Sequence, residues 1–290
     1  MKFKMRLLRT HDEYRDAENI QRVVWGFADR EIIPLNELVV ANKIGGSVFG
    51  AFDASGRMVG SIHALVVDTG SRRIVVDTCL GNDKARPALP PWHMLQTRFL
   101  EDLTAAGYAP GTIDTVLCTH LHLDHVGWNT RLVEGKWVPT FPKARYLIAR
   151  TEYAHWISGA ANEEQQVVLA DSVKPVFDAG LAELVETDHI VCPEVRLLPS
   201  HGHTPGHVSV LVESGGASAL ITGDFVHHPC QLAYPEWNSV ADSDAEGARA
   251  TRRAMLARYA DTPTLVIGTH FATPTAGRLK RDGDAWRLDV

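Results

Sequence analysis

The chain has 290 residues, of which 45% are hydrophobic and 22% are charged, a composition typical of an ordinary globular protein. The formal net charge is −6 and no run of lysine and arginine stands out, which argues against a nucleic-acid-binding protein. No stretch approaches the ~20 apolar residues of a membrane span, and charges interrupt the N-terminus, so we expect a cytoplasmic protein with neither an anchor nor a signal peptide. The cysteines are widely spaced, which predicts free thiols.

Short strands and helices are predicted along the chain. Residues 1–46 are mixed and polar, and we interpret them as an N-terminal extension packed on one domain, residues 47–290. Apolar runs between turn residues predict strands at Ser61–Asp68, Arg73–Thr78, Thr115–Thr119, Ala144–Ala149, Val195–Leu198, Val208–Val212, Ala219–Thr222 and Leu265–Gly268. Helical spacing of apolar residues predicts helices at Pro91–Ala106, from Thr151, at Glu163–Ala179 and at Ala241–Tyr259. Residues 277–290 predict a hairpin with an Asp-Gly turn.

The segment HLHLDH, residues 120–125, directly follows one of these apolar strands. Imidazoles and carboxylates at this density are the donors that borderline divalent metals such as zinc prefer. In an extended loop, residues two apart point the same way, so His120 and His122 can bind one ion. The adjacent Asp124 and His125 can turn toward a second ion.

Other polar segments also follow short apolar strands. They are HGHTPGH at residues 201–207, TGD ending at Asp224, and GTH ending at His270. In the first of them we favour His203 as a ligand and interpret His201 and His207 as loop residues or partners of a ligand. Loops at strand ends are where a rigid scaffold presents functional groups. The sequence therefore predicts a metal centre built from several such loops.

In this order, HLHLDH, GHTPGH, TGD and GTH resemble the motifs of the metallo-β-lactamase fold superfamily. The likeness is greatest to its dinuclear hydrolases, the N-acyl-homoserine-lactone lactonases and the methyl parathion hydrolase type. The motifs extend from about Asp77 to His270 and so cover most of the chain. The resemblance implies an α/β fold, an αβ/βα sandwich, that binds two divalent metal ions, Zn²⁺ in the first instance, at one edge.

The resemblance also assigns the metal ligands. His120, His122 and His203 would bind the first ion. The second ion would be bound by Asp124, His125 and His270, and Asp224 would bridge the two ions. Asp77 and His207 would lie behind the ligands and orient them.

This ligand set implies a hydrolase in which a hydroxide shared by two ions cleaves an ester, lactone or phosphotriester bond of a small molecule. Asp124 is the candidate for carrying a proton to the leaving group. Trp128 and Phe225 flank ligands in the sequence and are the candidates to line an apolar substrate pocket. We also expect a homodimer.

Position 227 separates the candidate activities. The lactonases place a tyrosine three residues after the bridging aspartate, whereas this chain has His227 there, which can donate a hydrogen bond in its place or make no contact. An acyl-homoserine-lactone lactonase and a β-lactamase-like amide hydrolase remain alternatives, although Asp224 argues against a true metallo-β-lactamase. A non-enzymatic metal-binding protein is the alternative from another class. Neither an RNA-gripping arm nor a flavodoxin domain is evident, which disfavours a tRNA-processing nuclease and a flavodiiron oxidoreductase.

Overall fold

The computed structural model describes residues 4–7, 49–52, 60–272 and 274–290. It divides into two compact units: Ile62–Gly216, here called the central unit, and Met1–Ser61 with Ala217–Val290, here called the terminal unit. Most of the expected N-terminal extension, residues 1–46, lies outside the described residues, so its packing stays a prediction. Within the described ranges, no helix is long and apolar enough to cross a membrane.

Strands and short helices alternate in both units, which gives the α/β class that the sequence predicts. In the terminal unit the described N-terminal strands are β1 (Lys4–Leu7) and β2 (Phe49–Phe52), which pair antiparallel. The strands of the central unit are β3 (Leu65–Asp68), β4 (Arg73–Val76), β5 (Thr115–Leu117), β6 (Thr130–Val133), β7 (Lys136–Pro139), β8 (Arg145–Ala149), β9 (Ala182–Val185), β10 (Ile190–Cys192), β11 (Val195–Pro199) and β12 (Val208–Ser214). Its α-helices are α1 (Phe99–Ala105), α2 (Leu123–Val126), α3 (Arg150–His155), α4 (Glu163–Val168) and α5 (Lys174–Asp178).

The central unit is organised by a five-stranded sheet of order β3-β4-β5-β8-β9. Strands β4, β5, β8 and β9 pair parallel, and β3 pairs antiparallel with β4 at one edge. Strand β5 is buried along its whole length, as expected for a parallel strand covered on both faces. The hydrophobic core joins Val75, Val116 and Tyr146 of the sheet to Leu103 of α1 and Val168 of α4.

A pair of antiparallel ladders completes the central unit. Strand β11 pairs with β10 and with β12, and β6 and β7 form a separate hairpin. The N–H of Val208, at the start of β12, donates to the carbonyl of Thr119 at 3.0 Å. This bond places the loop before β12 beside the loop after β5, and these two loops carry the candidate ligands of the central unit.

The terminal unit contains β13 (Ala217–Ile221), α6 (Cys230–Ala233), α7 (Ala245–Tyr259), β14 (Leu265–Ile267), β15 (Ala276–Asp282) and β16 (Ala285–Asp289). Strands β13 and β14 pair parallel, and β14-β15-β16 continue antiparallel. The predicted C-terminal hairpin is confirmed, and its turn contains Gly283 at φ 62°. Because parallel strands end at the same edge of a sheet, the loops after β13 and β14, which carry Asp224 and His270, leave the sheet together.

The predicted helix Pro91–Ala106 is wrong over its first half. A single 3₁₀ turn covers Pro90–Trp92, and the α-helix begins only at Phe99. The intervening segment is fixed by side chains instead: Oδ1 of Asn82 accepts from the N–H and the hydroxyl of Thr97, and Met94 adopts φ 51°. The helix predicted from Ala241 begins at Ala245, after Asp244, whose side chain accepts from the N–H of Gly247.

Candidate metal centre

Three imidazoles converge in the central unit. Nδ1 of His122 lies 3.0 Å from Nε2 of His120 and 3.0 Å from Nε2 of His203. These three side chains form a group whose ligand atoms all lie within 4.8 Å of one another, and His120 and His203 are buried. With Zn–N bonds of 2.0–2.1 Å and tetrahedral angles, ligand nitrogens would stand about 3.3 Å apart. The three nitrogens are therefore spaced to bind one ion.

The buried carboxylate of Asp77 determines which ring nitrogen of His120 and of His125 is left to bind a metal. Oδ2 of Asp77 lies 2.9 Å from Nδ1 of His125 and accepts from the hydroxyl of Thr119 at 2.8 Å. The Thr119 oxygen in turn lies 3.1 Å from Nδ1 of His120. If Nδ1 carries the proton in both rings, Nε2 of His120 and of His125 presents its lone pair for a metal. Asp77 thus orients two candidate ligands, one directly and one through a hydroxyl.

Asp77 occupies this position in a constrained backbone conformation. Its φ is 56°, in the left-handed region that costs an ordinary residue roughly 1–2 kcal/mol. The conformation is held by a bond from its N–H to the carbonyl of Leu117 and by the N–H of Thr119, which donates to Oδ1. The neighbouring N–H of Thr78 donates to the carbonyl of His125 at 2.7 Å. The segment after β4 is therefore tied to both ends of the HLHLDH segment.

Asp124 and His125 are the remaining candidate ligands in the central unit. They open the short helix α2, and Oδ1 of Asp124 lies 3.6 Å from Nε2 of His125. The His125 side chain is buried, whereas 16% of the Asp124 side chain is exposed. The two donor atoms are therefore close enough to bind the same ion, and the carboxylate keeps contact with solvent.

The loop before β12 presents His203 and holds His207 behind it. Nδ1 of His207 lies 2.8 Å from the carbonyl oxygen of Ser200 and 2.9 Å from its hydroxyl. The His207 ring centroid is 5.2 Å from that of His120 and 5.8 Å from that of His203. His207 therefore packs against both candidate ligands without joining the group of converging nitrogens. His201 is exposed.

In the terminal unit, the carboxylate of Asp224 contacts the imidazoles of His227 and His270. Nε2 of His270 lies 3.2 Å from both carboxylate oxygens, and Nε2 of His227 lies 3.2 Å from Oδ2. Nδ1 of His270 is 2.9 Å from the carbonyl oxygen of Ser61, so that its proton is placed there and Nε2 faces the carboxylate. The two rings stack in parallel, with centroids 5.7 Å apart. His227 is thus positioned on the candidate bridging carboxylate.

The aromatic side chains expected to line a pocket are almost fully buried. Trp128 stacks on Phe99 with ring centroids 5.4 Å apart, and its relative exposure is 6%. Phe225 has a relative exposure of 2%, and its carbonyl accepts from the guanidinium of Arg252. Stacking on Phe99 accounts for the position of the Trp128 ring, and the role of both aromatic side chains in a substrate pocket stays a prediction.

Sequence reasoning missed the side chains that position the loops. Glu152 and Gln165 contact the loop that carries His120 and His122, and Arg252 contacts the loop that follows Asp224. For Arg252 the sequence offered a signal, which is a charged residue on the helix face that carries Ala248 and Leu256. A buried charge of this kind needs partners, but the sequence does not say which backbone groups those partners are.

Comparison with curated proteins finds relatives over part of the chain. The chain is similar to the N-acyl homoserine lactonase of Bacillus cereus, with 28% identity over 152 residues, which are 52% of this chain and 54% of the relative. It is also similar to a probable metallo-hydrolase of Mycobacterium tuberculosis, with 29% identity over 190 residues, 57% of each chain. The chain therefore spans little more than half the length of these curated relatives.

Solved structures share the fold. The hydrolase AbOPH of the beta lactamase superfamily superimposes with a TM-score of 0.70 at 24% identity, covering 88% of this chain and 86% of that one. AidC, a dizinc quorum-quenching lactonase solved with the product N-hexanoyl-L-homoserine, gives a TM-score of 0.67 at 21% identity, covering 87% and 84%. At these identities the likeness establishes the architecture alone. The family model of the metallo-beta-lactamase superfamily matches residues 57–270, most of the chain, and the chain therefore belongs to that superfamily.

Proposed function

We propose that this protein is a metal-dependent hydrolase that cleaves an ester or lactone bond of a small molecule. The observation that carries the proposal is the convergence of His120, His122 and His203, whose ligand nitrogens all lie within 4.8 Å of one another, close enough for one tetrahedral ion to contact all three. Imidazole nitrogens suit zinc and its neighbours rather than magnesium or calcium, which prefer oxygen donors. The donor set therefore fits the metal that the superfamily implies.

A second ion is proposed from the ligand motifs. Asp124 and His125 would bind it in the central unit, and the order of the motifs assigns His270 to the same ion and Asp224 to a bridging role. In support, Nε2 of His270 lies 3.2 Å from the carboxylate of Asp224, so the two candidate donor atoms are already close together. The proposed metal is Zn²⁺ at both positions.

The chain's own residues divide the work around these ions. Bound divalent ions would supply Lewis acidity and a water whose pKa is lowered toward neutrality. Asp124 keeps a partly exposed carboxylate beside His125, so it is suited to pass a proton to the leaving group. His227 is 19% exposed at its side chain and can offer an N–H to the substrate carbonyl when its ring is not engaged by Asp224.

The test is a turnover screen of zinc-reconstituted protein against aryl esters, lactones and phosphotriesters, with the metal content measured on the same sample. We expect close to two ions per chain and hydrolysis of at least one ester or lactone. His122→Ala should lose the first ion and the activity together, whereas the control His189→Ala, on the loop before β10, should keep both. Bound metal without turnover on any of these substrates would favour a non-enzymatic metal-binding protein.

A second candidate is a lactonase acting on N-acyl homoserine lactones, which is favoured by the names of the curated relatives. Against it stands His227 at the position where the lactonases place a tyrosine. The two candidates differ in the ratio of kcat/KM for an aryl ester to that for a long-chain acyl-homoserine lactone. We expect the aryl ester to be the better substrate, and the reverse order would select the lactonase.

A further inference from the structure

Glu152 is a buried carboxylate that accepts hydrogen bonds from three separate segments. Oε1 accepts from the N–H of Leu121 at 3.1 Å and from the indole N–H of Trp156 at 2.7 Å, and Oε2 accepts from the N–H of Gly206 at 3.0 Å. The relative exposure of Glu152 is 1%. Removing a carboxylate from water is costly unless its lone pairs are satisfied, and here they are satisfied by the backbone of the two loops that carry the three histidines.

The peptide groups flanking Leu121 are held on both sides. Leu121 lies between His120 and His122, and its carbonyl accepts from the side-chain amide of Gln165 at 2.7 Å. Gln165 is itself buried on α4. Asn162 caps this helix at its N-terminus, and the Asn162 side chain accepts from the N–H of Gln165. The N–H and the C=O of this one residue are therefore both fixed by side chains from the helical segment that follows β8.

Gly206 allows the second loop to reach the same carboxylate. A Cβ at this position would stand 2.1 Å from the backbone nitrogen of Glu152 and 2.5 Å from its Cα, so that any larger residue would push the loop away. The close approach brings the N–H of Gly206 within reach of Oε2. Through one side chain, the loop of His203 is set relative to the loop of His120 and His122.

We propose that Glu152 and Gln165 are positioning residues for the three-histidine site. They fix the Leu121 backbone and the Gly206 N–H, so that Nε2 of His120, Nδ1 of His122 and Nε2 of His203 converge before any ion arrives. A rotation of the backbone at Leu121 swings the two flanking rings in different directions, since they lie on either side of it. The inference deepens the proposed function and rests on its metal site.

The experiment measures affinity for the first equivalent of Co²⁺ by competition with a chromophoric chelator, together with the visible absorption of the bound ion. Glu152→Gln retains the shape but places an amide NH₂ opposite one of the three donors. Gln165→Met keeps the volume and removes only the bond to Leu121. Loss of partners that orient metal ligands typically weakens binding by roughly 10- to 100-fold. We expect a loss of that size in Glu152→Gln, a smaller loss in Gln165→Met, and an altered Co²⁺ spectrum in both.

Glu163→Gln is the matched control, because it makes the same chemical change at an exposed position in the first turn of α4. It should bind Co²⁺ within twofold of the wild type with an unchanged spectrum. Thermal unfolding of the metal-free proteins separates a general loss of folding from a local effect, and Gln165→Met provides the measurement if Glu152→Gln does not fold. If both variants retain the wild-type affinity and spectrum, the positioning role is wrong. If the wild type itself binds no Co²⁺, the proposed function fails instead.

Discussion

Replacing His228 should make the free energy of unfolding depend less on pH in the acid range. His228 is buried after the loop of Asp224, and its Nδ1 accepts from the N–H of Cys230 at 3.1 Å. Its proton is therefore on Nε2, which has no hydrogen-bond partner among the described residues. Burial lowers the pKa of His228 from 6.5 to about 4. Protonating the ring would bury a charge and also turn Nδ1 from an acceptor into a donor facing another donor.

The direction and size of the effect follow from proton linkage. Because the folded state holds the neutral ring, the unfolded chain binds the proton first, and stability is lost as the pH falls from 6.5 toward 4. At 1.36 kcal/mol per unit of pKa shift, this loss amounts to about 3 kcal/mol. Asparagine offers an oxygen near the place of Nδ1 and cannot titrate. We therefore expect the free energy of unfolding of His228→Asn to change less over this pH range than that of the wild type.

The assay is urea unfolding of chelator-treated protein at several pH values, in wild type and His228→Asn. Metal must be absent because metal affinity itself depends on pH, and the difference between the two proteins cancels the contributions of the residues that they share. His189→Asn is the control for removing a histidine elsewhere. Parallel curves for wild type and His228→Asn between pH 7 and 4 would refute the reasoning.

Three further outcomes are expected. Arg252 donates to the carbonyls of Phe225, Pro235 and Trp237 and lies 3.7 Å from the buried carboxylate of Asp242. Arg252→Met should therefore lower the free energy of unfolding by about 3–5 kcal/mol, as for other buried pairs that lose one partner. Denaturant unfolding measures this loss, and adding Asp242→Asn should recover part of it. Metal removal should lower the melting temperature, since a ligand at a hundred times its Kd stabilises by about 2.7 kcal/mol, and an unchanged melting temperature of verified apoprotein would contradict metal binding to the folded state alone. Trp128→Ala should disturb packing against Phe99 and lower stability more than it changes substrate preference; a selective loss of activity on aryl esters, measured as kcat/KM with stability unchanged, would instead place this ring in the pocket.

The candidate ligands were predictable because their signal is local. Four polar motifs in a fixed order follow short apolar strands, and the structure shows strands ending shortly before His120 and before the loops that carry His203, Asp224 and His270. The grouping of His120, His122 and His203 follows the family's motif order, and the parallel pairing of β13 and β14 brings together the loops of Asp224 and His270. Motifs of this kind can be recognised without the structure because each consists of consecutive residues.

Other features were not predictable because they depend on contacts distant in sequence. The segment before α1 has the apolar spacing of a helix, but Asn82 bonds Thr97 and draws it into an irregular path. The hairpin β6–β7 was missed, although Glu134 and Gly135 at its turn have φ values of 49° and 77°, the conformation of a tight hairpin turn. An Asn or Asp before the glycine would have been the usual signal, and glutamate hid it.

The side chains that orient the ligand loops share one physical property, which is that they are charged or amide groups buried against backbone. Glu152 accepts two backbone N–H groups, Asp77 accepts one along with a hydroxyl and an imidazole, and Arg252 donates to three carbonyls. Burying such groups contributes little net stability compared with apolar packing of equal volume. Hydrogen bonds to charged groups are, however, more directional than apolar contacts and are lost at a cost of about 1.5–3 kcal/mol each. Loops that would hold metal ligands are therefore better fixed by these bonds than by hydrophobic contacts, which are less directional. Such bonds would fix one geometry of the loops, which is what the proposed metal centre requires.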